Sequence, residues 1–168
     1  MAAPGTPPGA LGIIAGGGDL PPAVARSVRA AGREVFVVAM LGSVTDSWVE
    51  DFPHAFISPG EPGRIIKALA QAGAGEVLLA GRVDRPKFSE LKLDAKGVLL
   101  LPKAIAAAKK GDDALLRFIV GICEDAGLKA VSVAEVAPGL VCAQGPLGTV
   151  TPDQTARADI ETAFRIVR

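Results

Sequence analysis

Three short segments of this chain have residue types and spacing that suit phosphate chemistry. The first is Gly16-Gly17-Gly18-Asp19, which follows an apolar run and precedes a segment of helical periodicity. Glycines let the backbone turn tightly and approach a ligand, while the N–H groups and dipole of a following helix favour an anion. The segment therefore predicts a phosphate-binding turn. The alternative is a tight strand-to-helix turn without a ligand, in which Asp19 only caps the helix.

The second segment, Gly81 to Lys87, gathers three cations in six residues after an apolar run. Arginine presents a planar fork that grips phosphate oxygens in pairs. Gly81, Arg82 and Arg85 are therefore candidate substrate-binding residues. A solvated basic loop is the alternative, and the position after a buried strand favours the functional interpretation.

The third segment joins two predicted helices and contains Lys110, Gly111, Asp112, Asp113 and Arg117. One aspartate is expected to be the N-cap of the second helix, with the other favoured by the helix dipole. Arg117 lies within one turn of both carboxylates. In the functional interpretation, the amides, lysine or carboxylates of this junction face a ligand or its bound metal.

Several common site types are excluded by what the sequence lacks. His54 is the single histidine, so neither a histidine-based zinc site nor a Ser-His-Asp relay can be built. Position 21 is proline, so the glycines do not form G-x-G-x-x-G, and no ribose-binding acid follows about 20 residues later. Cys123 and Cys142 form no motif. A general base, if one is present, must be a carboxylate.

The elements that must position these segments alternate between strand-like apolar runs and helical periodicity. The predicted strands are Leu11–Ala15, Glu34–Met40, Ala55–Ser58, Glu76–Ala80 and Lys129–Val133, and the predicted helices are Pro21–Ala31, Pro62–Ala72, Leu101–Lys109, Asp113–Ala126 and Asp153–Val167. Connections of helical length predict a mostly parallel sheet with helices on both faces. The expected fold is α/β, a Rossmann-like three-layer sandwich in a single domain.

We expect residues 1–10 to be a flexible leader, 11–150 the Rossmann-like domain and 151–168 a terminal helix. Eighteen basic residues balance eighteen acidic ones, so no overall field attracts nucleic acid. No apolar run approaches the ~20 residues of a membrane span. A cytoplasmic location is the expectation.

Four ordered segments resemble the LpxI family of UDP-2,3-diacylglucosamine pyrophosphatases. They are residues 11–21 (LGIIAGGGDLP), 80–86 (AGRVDRP), 101–117 (LPKAIAAAKKGDDALLR) and 145–152 (GPLGTVTP). The resemblance implies a Gram-negative lipid A enzyme that hydrolyses UDP-2,3-diacylglucosamine to UMP and 2,3-diacylglucosamine 1-phosphate. It also implies attack of water on the α-phosphorus and help from a divalent metal, Mg or Mn.

The family resemblance further implies two domains, with the lipid nucleotide held between them and a catalytic aspartate in the second. This chain resembles the amino-terminal domain alone, so we expect it to be one wall of the cleft and inactive by itself. Asp112 or Asp113 could approach metal or phosphate, and neither is assigned as catalyst. Self-association through the surface built for the second domain is a further expectation.

Two other classes of function remain open from the sequence. One is a nucleotide-binding or oxidoreductase module that shares only a Rossmann-like first half, and the missing ribose acid argues against it. The other is a non-catalytic interaction domain whose exposed apolar face pairs with another chain.

Overall fold

A computed structural model describes residues 9–45, 47–83, 91–142, 145 and 148–167. Its five strands form one parallel sheet in the order β3-β2-β1-β4-β5. The strands are β1 Leu11–Ala15, β2 Val35–Met40, β3 His54–Ile57, β4 Glu76–Ala80 and β5 Lys129–Ala130. The central strand β1 is paired over its whole length with β2 and with β4. The predicted α/β class and parallel sheet are confirmed.

Six α-helices are found in the described part of the chain. They are α1 Leu20–Ala30, α2 Pro62–Gln71, α3 Ala95–Lys110, α4 Asp112–Glu124, α5 Val133–Val136 and α6 Gln154–Val167, with 3₁₀ turns at Ser47–Asp51 and Pro138–Leu140. Prolines at the first turns of α1 and α2 suit a helix start, because the N–H that proline lacks has no intrahelical acceptor there. Both helices begin and end within one residue of the predicted bounds.

Apolar cores lie on both faces of the sheet, as a three-layer sandwich requires. One core joins α1, through Val24 and Val28, to Trp48 and the sheet. The other core joins Leu69 of α2 and Cys123, near the end of α4, to the sheet. Both cores include residues of β1, β2 and β4. The first candidate segment follows the carboxyl end of β1, and the second follows that of β4.

The predicted helix Leu101–Lys109 is wrong at its beginning. The helix starts six residues earlier, at Ala95, because the Asp94 side chain accepts a hydrogen bond from the Gly97 N–H and caps it. Pro102 therefore lies inside α3 rather than in its first turn. Together α3 and α4 form a helical hairpin that packs on α2 and is longer than the sequence indicated.

The predicted strand Lys129–Val133 is also wrong in its second half. It stops after two residues because Ser132 and Glu135 form a capping box that starts α5 at Val133. Each group satisfies the other's backbone N–H, with Ser132 N–H donating to Glu135 Oε2 at 2.7 Å. The S-x-x-E signal was present in the sequence.

Candidate functional site

The glycine segment after β1 is held by backbone contacts to two neighbouring loops. The Gly16 N–H donates to the Ala80 carbonyl oxygen at 2.8 Å, and Gly17 exchanges two 2.8 Å hydrogen bonds with Arg82. A Cβ at Gly16 would collide with the Arg82 carbonyl, and one at Gly17 would lie 2.7 Å from the Ser43 carbonyl oxygen. The first two glycines are therefore required by close packing of protein backbone.

Only the far end of this turn is open to a ligand. Gly18 has φ +100°, and no described residue lies within 4 Å of the position its Cβ would take. Pro21 and Pro22 have no N–H, so the first turn of α1 offers fewer donors than an ordinary helix N-terminus. Within the described residues, the N–H groups of Gly18, Asp19 and Leu20 have no hydrogen-bond acceptor. These three amides are the part of the segment that can face a phosphate.

Asp19 occupies the N-cap position of α1, but its side chain accepts no capping hydrogen bond. The alternative in which this carboxylate serves only as a cap is thus weakened. Asp19 and Gly18 are both exposed at the sheet edge.

The glycine segment meets the cationic segment at the position where ligands bind in sheets of this order. Strand order reverses between β1 and β4, and their carboxyl ends normally leave a crevice there. In this protein the Gly17–Arg82 bridge joins the two loops across that crevice. Gly81, with φ +88°, lies directly against Gly17 and Pro21. Arg82 is thereby fixed at its backbone beside Gly18, with its side chain at the exposed edge.

The loop after β2 belongs to the same edge and was missed by the sequence analysis. It contributes the Ser43 carbonyl against Gly17 and an exposed Leu41. Leu20, the first residue of α1, and Val83, in the segment after β4, are exposed at the same edge. The signal available in the sequence was the position of Leu41 directly after a strand. Arg85 lies outside the described residues.

The third candidate segment lies at the tip of the α3–α4 hairpin. Gly111, with φ +120°, separates the two helices and is itself the N-cap of α4. The prediction that Asp112 or Asp113 is the N-cap is therefore wrong, and both occupy the first turn, where the helix dipole favours a carboxylate. Asp113 pairs with Arg117 at 2.6 Å, and both side chains are exposed. Lys110 ends α3 and is exposed as well.

A buried carboxylate follows β3 at the same edge of the sheet. Both oxygens of Glu61 accept hydrogen bonds from Arg64 Nη1 at 2.9 Å, and Oε2 also accepts from the Ser58 N–H at 3.3 Å. Lys92 Nζ is 3.9 Å from Oε1. The Arg64 hydrogen bond lowers the pKa of Glu61 below its usual 4.5, against the opposing effect of burial. Glu61 is therefore a charged structural anchor between β3, α2 and the segment that leads into α3.

The Glu61 anchor predicts a pH-dependent stability difference. Because the folded-state pKa is depressed, its contribution is full above pH 4.5 and is lost as the pH falls through the folded value. We expect Glu61→Gln to lower the free energy of unfolding by about 1–2 kcal/mol at pH 7. Urea titrations should show the difference from wild type shrinking as the pH falls below 4.5.

Asp113→Asn is the control for this experiment, since it removes an exposed pair worth about 0.5 kcal/mol or less. A Glu61→Gln deficit that stays constant across the acid range would contradict the assignment, because the deficit would then not come from the carboxylate charge.

A metal site is not formed by the described residues themselves. Among them, no group of three or more His, Cys, Asp and Glu side chains lies close enough to hold an ion. Asp113, one of the two candidate carboxylates, is already paired with Arg117. We therefore derive no chemical step through a cation held by these residues.

The single histidine and the two cysteines lie outside the three candidate segments. His54 lies on edge strand β3, with Nδ1 2.9 Å from the Phe52 carbonyl oxygen. Cys123 is buried and Cys142 exposed, neither in a disulfide. No helix in the described part of the chain is long and apolar enough to cross a membrane.

The parallel sheet, with its strand order reversed between β1 and β4, defines a Rossmann-like α/β domain. A family model described as "LpxI N-terminal domain" matches residues 10–140. The chain therefore belongs to the LpxI family, through its N-terminal domain.

A curated relative supports the same assignment. The chain is 43% identical over 158 residues to the UDP-2,3-diacylglucosamine pyrophosphatase LpxI of Caulobacter vibrioides (strain ATCC 19089 / CIP 103742 / CB 15). The match covers 94% of this chain and 56% of the relative. The chain thus spans little more than half the length of that protein.

Proposed function

We propose that this chain acts as the amino-terminal part of a UDP-2,3-diacylglucosamine pyrophosphatase and forms one wall of its substrate cleft. The observation that carries the proposal is the 43% identity to a relative with that activity. In this reaction water adds to the α-phosphorus and the pyrophosphate P–O bond breaks, giving UMP and 2,3-diacylglucosamine 1-phosphate.

The carboxyl edge of the sheet suits the phosphate part of such a substrate. The amides of Gly18, Asp19 and Leu20 can donate to phosphate oxygens. Arg82, which is exposed and whose backbone is bonded to Gly17, is proposed to add positive charge to the same phosphate. Donors fixed before the reaction stabilise charge that develops on the phosphoryl oxygens in the transition state. The exposed residues Leu20, Leu41 and Val83 at this edge are proposed to supply apolar cover. This wall binds and orients, and the carboxylate that activates water is proposed to come from the second domain.

Two further residue groups complete the proposed wall. Gly81 and Gly16–Gly17 shape the turn, and Lys110–Asp113 with Arg117 present charge from the hairpin tip. Arg85 is proposed as a second phosphate-binding cation. A divalent cation, Mg or Mn, is proposed to be held mainly by groups other than the described residues of this chain.

The location and assembly of the protein are part of the same proposal. A cytoplasmic protein peripheral to the inner membrane would meet both the nucleotide and its acyl chains. The apolar residues Ile160, Phe164 and Val167 recur along one stripe of α6 and are exposed. This stripe supports contact with a second domain or with another copy, and size-exclusion chromatography of the chain would separate monomer from oligomer.

The function is tested by a chimera of residues 1–168 and the part of the Caulobacter relative that follows its matched region. We expect the chimera to release UMP from UDP-2,3-diacylglucosamine with added metal, and residues 1–168 alone to release none. Arg82→Ala in the chimera should lower kcat/KM by roughly 10- to 100-fold, because a charge-assisted contact to phosphate is lost.

Arg26→Ala is the matched control, since Arg26 is exposed on α1 and has no described ion pair. A folded chimera without activity, measured beside an active Caulobacter enzyme, would contradict the proposal. So would equal rates for the Arg82→Ala and Arg26→Ala chimeras.

A further inference from the structure

The Asp94 carboxylate joins the first turns of two helices. Oδ1 accepts a 2.7 Å hydrogen bond from the Gly97 N–H, in the first turn of α3. Oδ2 accepts a 2.9 Å hydrogen bond from the Arg64 N–H, in the first turn of α2. An ordinary cap serves only its own helix. Here one side chain also satisfies an N–H of a second helix, at Arg64, which lies 30 residues before Asp94 in the sequence.

Close backbone contacts lie beside this carboxylate, where α3 meets the start of α2. The Asp94 N–H donates to the Gly60 carbonyl oxygen at 3.3 Å. A Cβ at Gly97 would collide with the same carbonyl, and a Cβ at Gly60 would collide with the Lys92 carbonyl. A Cβ at Gly63 would lie 2.8 Å from Asp94 Oδ2. The three glycines thus let α3 lie directly against the start of α2.

The rest of the α3–α4 hairpin has little burial to fix its direction. Gly97 is the one buried residue of α3 and Cys123 the one buried residue of α4. Lys110, at the tip, is about 20 Å along the helix from Gly97. A rotation of about 10° at the base would therefore move the tip by about 3–4 Å. The contacts at the base decide where the tip charges lie.

We propose that Asp94 is a positioning residue that sets the direction of the α3–α4 hairpin, and with it the position of Lys110–Asp113, by bonding α2 and α3 at once. The relevance of this position to phosphate binding rests on the proposed function. The direction of the hairpin does not, and it can be measured without any substrate.

The experiment uses pulsed electron paramagnetic resonance to measure the distance between a spin label on the hairpin and one at the end of α1. Labels at Lys109→Cys and Ala31→Cys, both exposed positions, are introduced with Cys142→Ser to remove the exposed native thiol. We expect a narrow distribution with Asp94 and one about twofold broader with Asp94→Asn, whose amide can accept one of the two hydrogen bonds but not both.

Ser132→Ala is the control, because it removes a cap that serves α5 alone. Its distance distribution should match that of the parent. Amide hydrogen exchange gives a second measurement, which distinguishes a carboxylate that joins two helices from a simple cap of one helix. In Asp94→Asn the Arg64 N–H should exchange about tenfold faster, because α2 and α3 are no longer bonded through one carboxylate, whereas loss of a cap for α3 alone would affect only Gly97.

An unchanged distance distribution in folded Asp94→Asn, with normal protection at Arg64, would overturn the proposal. This result would leave the chimera assay untouched. Conversely, an inactive chimera whose hairpin distance depends on Asp94 would reject the proposed function and keep the positioning role.

Discussion

Gly97→Ala is expected to lower the free energy of unfolding by about 2–3 kcal/mol, although alanine has the higher helix propensity. The added methyl group would collide with the Gly60 carbonyl, which belongs to the turn between β3 and α2 and cannot rotate away as a side chain could. The start of α3 would have to separate from α2, and the two hydrogen bonds of Asp94 would lengthen. Urea denaturation at neutral pH measures the effect.

Gly121→Ala is the matched control, since Gly121 is also a helical glycine and nothing lies within 4 Å of its Cβ position. It should raise the free energy of unfolding by about 0.5–1 kcal/mol. If the two substitutions change stability in the same direction, the close approach of α3 to Gly60 is not as described.

Gly81→Ala is expected to cost about 3 kcal/mol, from two sources. Its φ of +88° is unfavourable for alanine by about 1–2 kcal/mol. The methyl group would also lie 2.7 Å from both the Gly17 carbonyl oxygen and Pro21 Cγ, which adds steric strain. Because the Gly17–Arg82 bridge must open to relieve it, the chimera should also lose UMP release.

Gly32→Ala separates the two sources. Its φ is +82°, and in the part of the chain that the structure describes nothing lies within 4 Å of its Cβ position, so the backbone cost of about 1–2 kcal/mol remains. This variant should keep the activity of the parent chimera. Equal destabilisation by the two substitutions would show that contact between the two loops is not required.

The sequence predicted the central part of the fold well, because local signals and burial agree there. Strands β1 and β4 have the predicted bounds, and Gly32 and Gly73 end their helices with positive φ. Hairpin helix α3 was predicted too short because Pro102 is typical of a first turn. Asp94, which in fact starts the helix, makes its decisive second hydrogen bond to a residue distant in sequence.

The candidate site stays a prediction, and the structure changes which of its N–H groups are free to bind a ligand. The sequence shows three glycines before a helix, and it cannot show that a neighbouring loop uses two of them. Gly16 donates its N–H to Ala80 at the end of β4, Gly17 donates to Arg82 just after it, and Pro21 and Pro22 have no N–H. What remains for a ligand is the short open end at Gly18. Tertiary contact, rather than local conformation, decides this.

The proposed function requires that the carboxyl edge of the sheet, at Gly18 and Arg82, hold the phosphate of a uridine nucleotide. Titration of the isotopically labelled chain with UMP and with UDP, followed by amide chemical shifts, tests this most directly. We predict progressive shifts at Gly18 and Gly81, and none at Gly32 and Gly75, which lie at the opposite edge. No shifts at millimolar ligand, or shifts confined to Gly32 and Gly75, would contradict the claim.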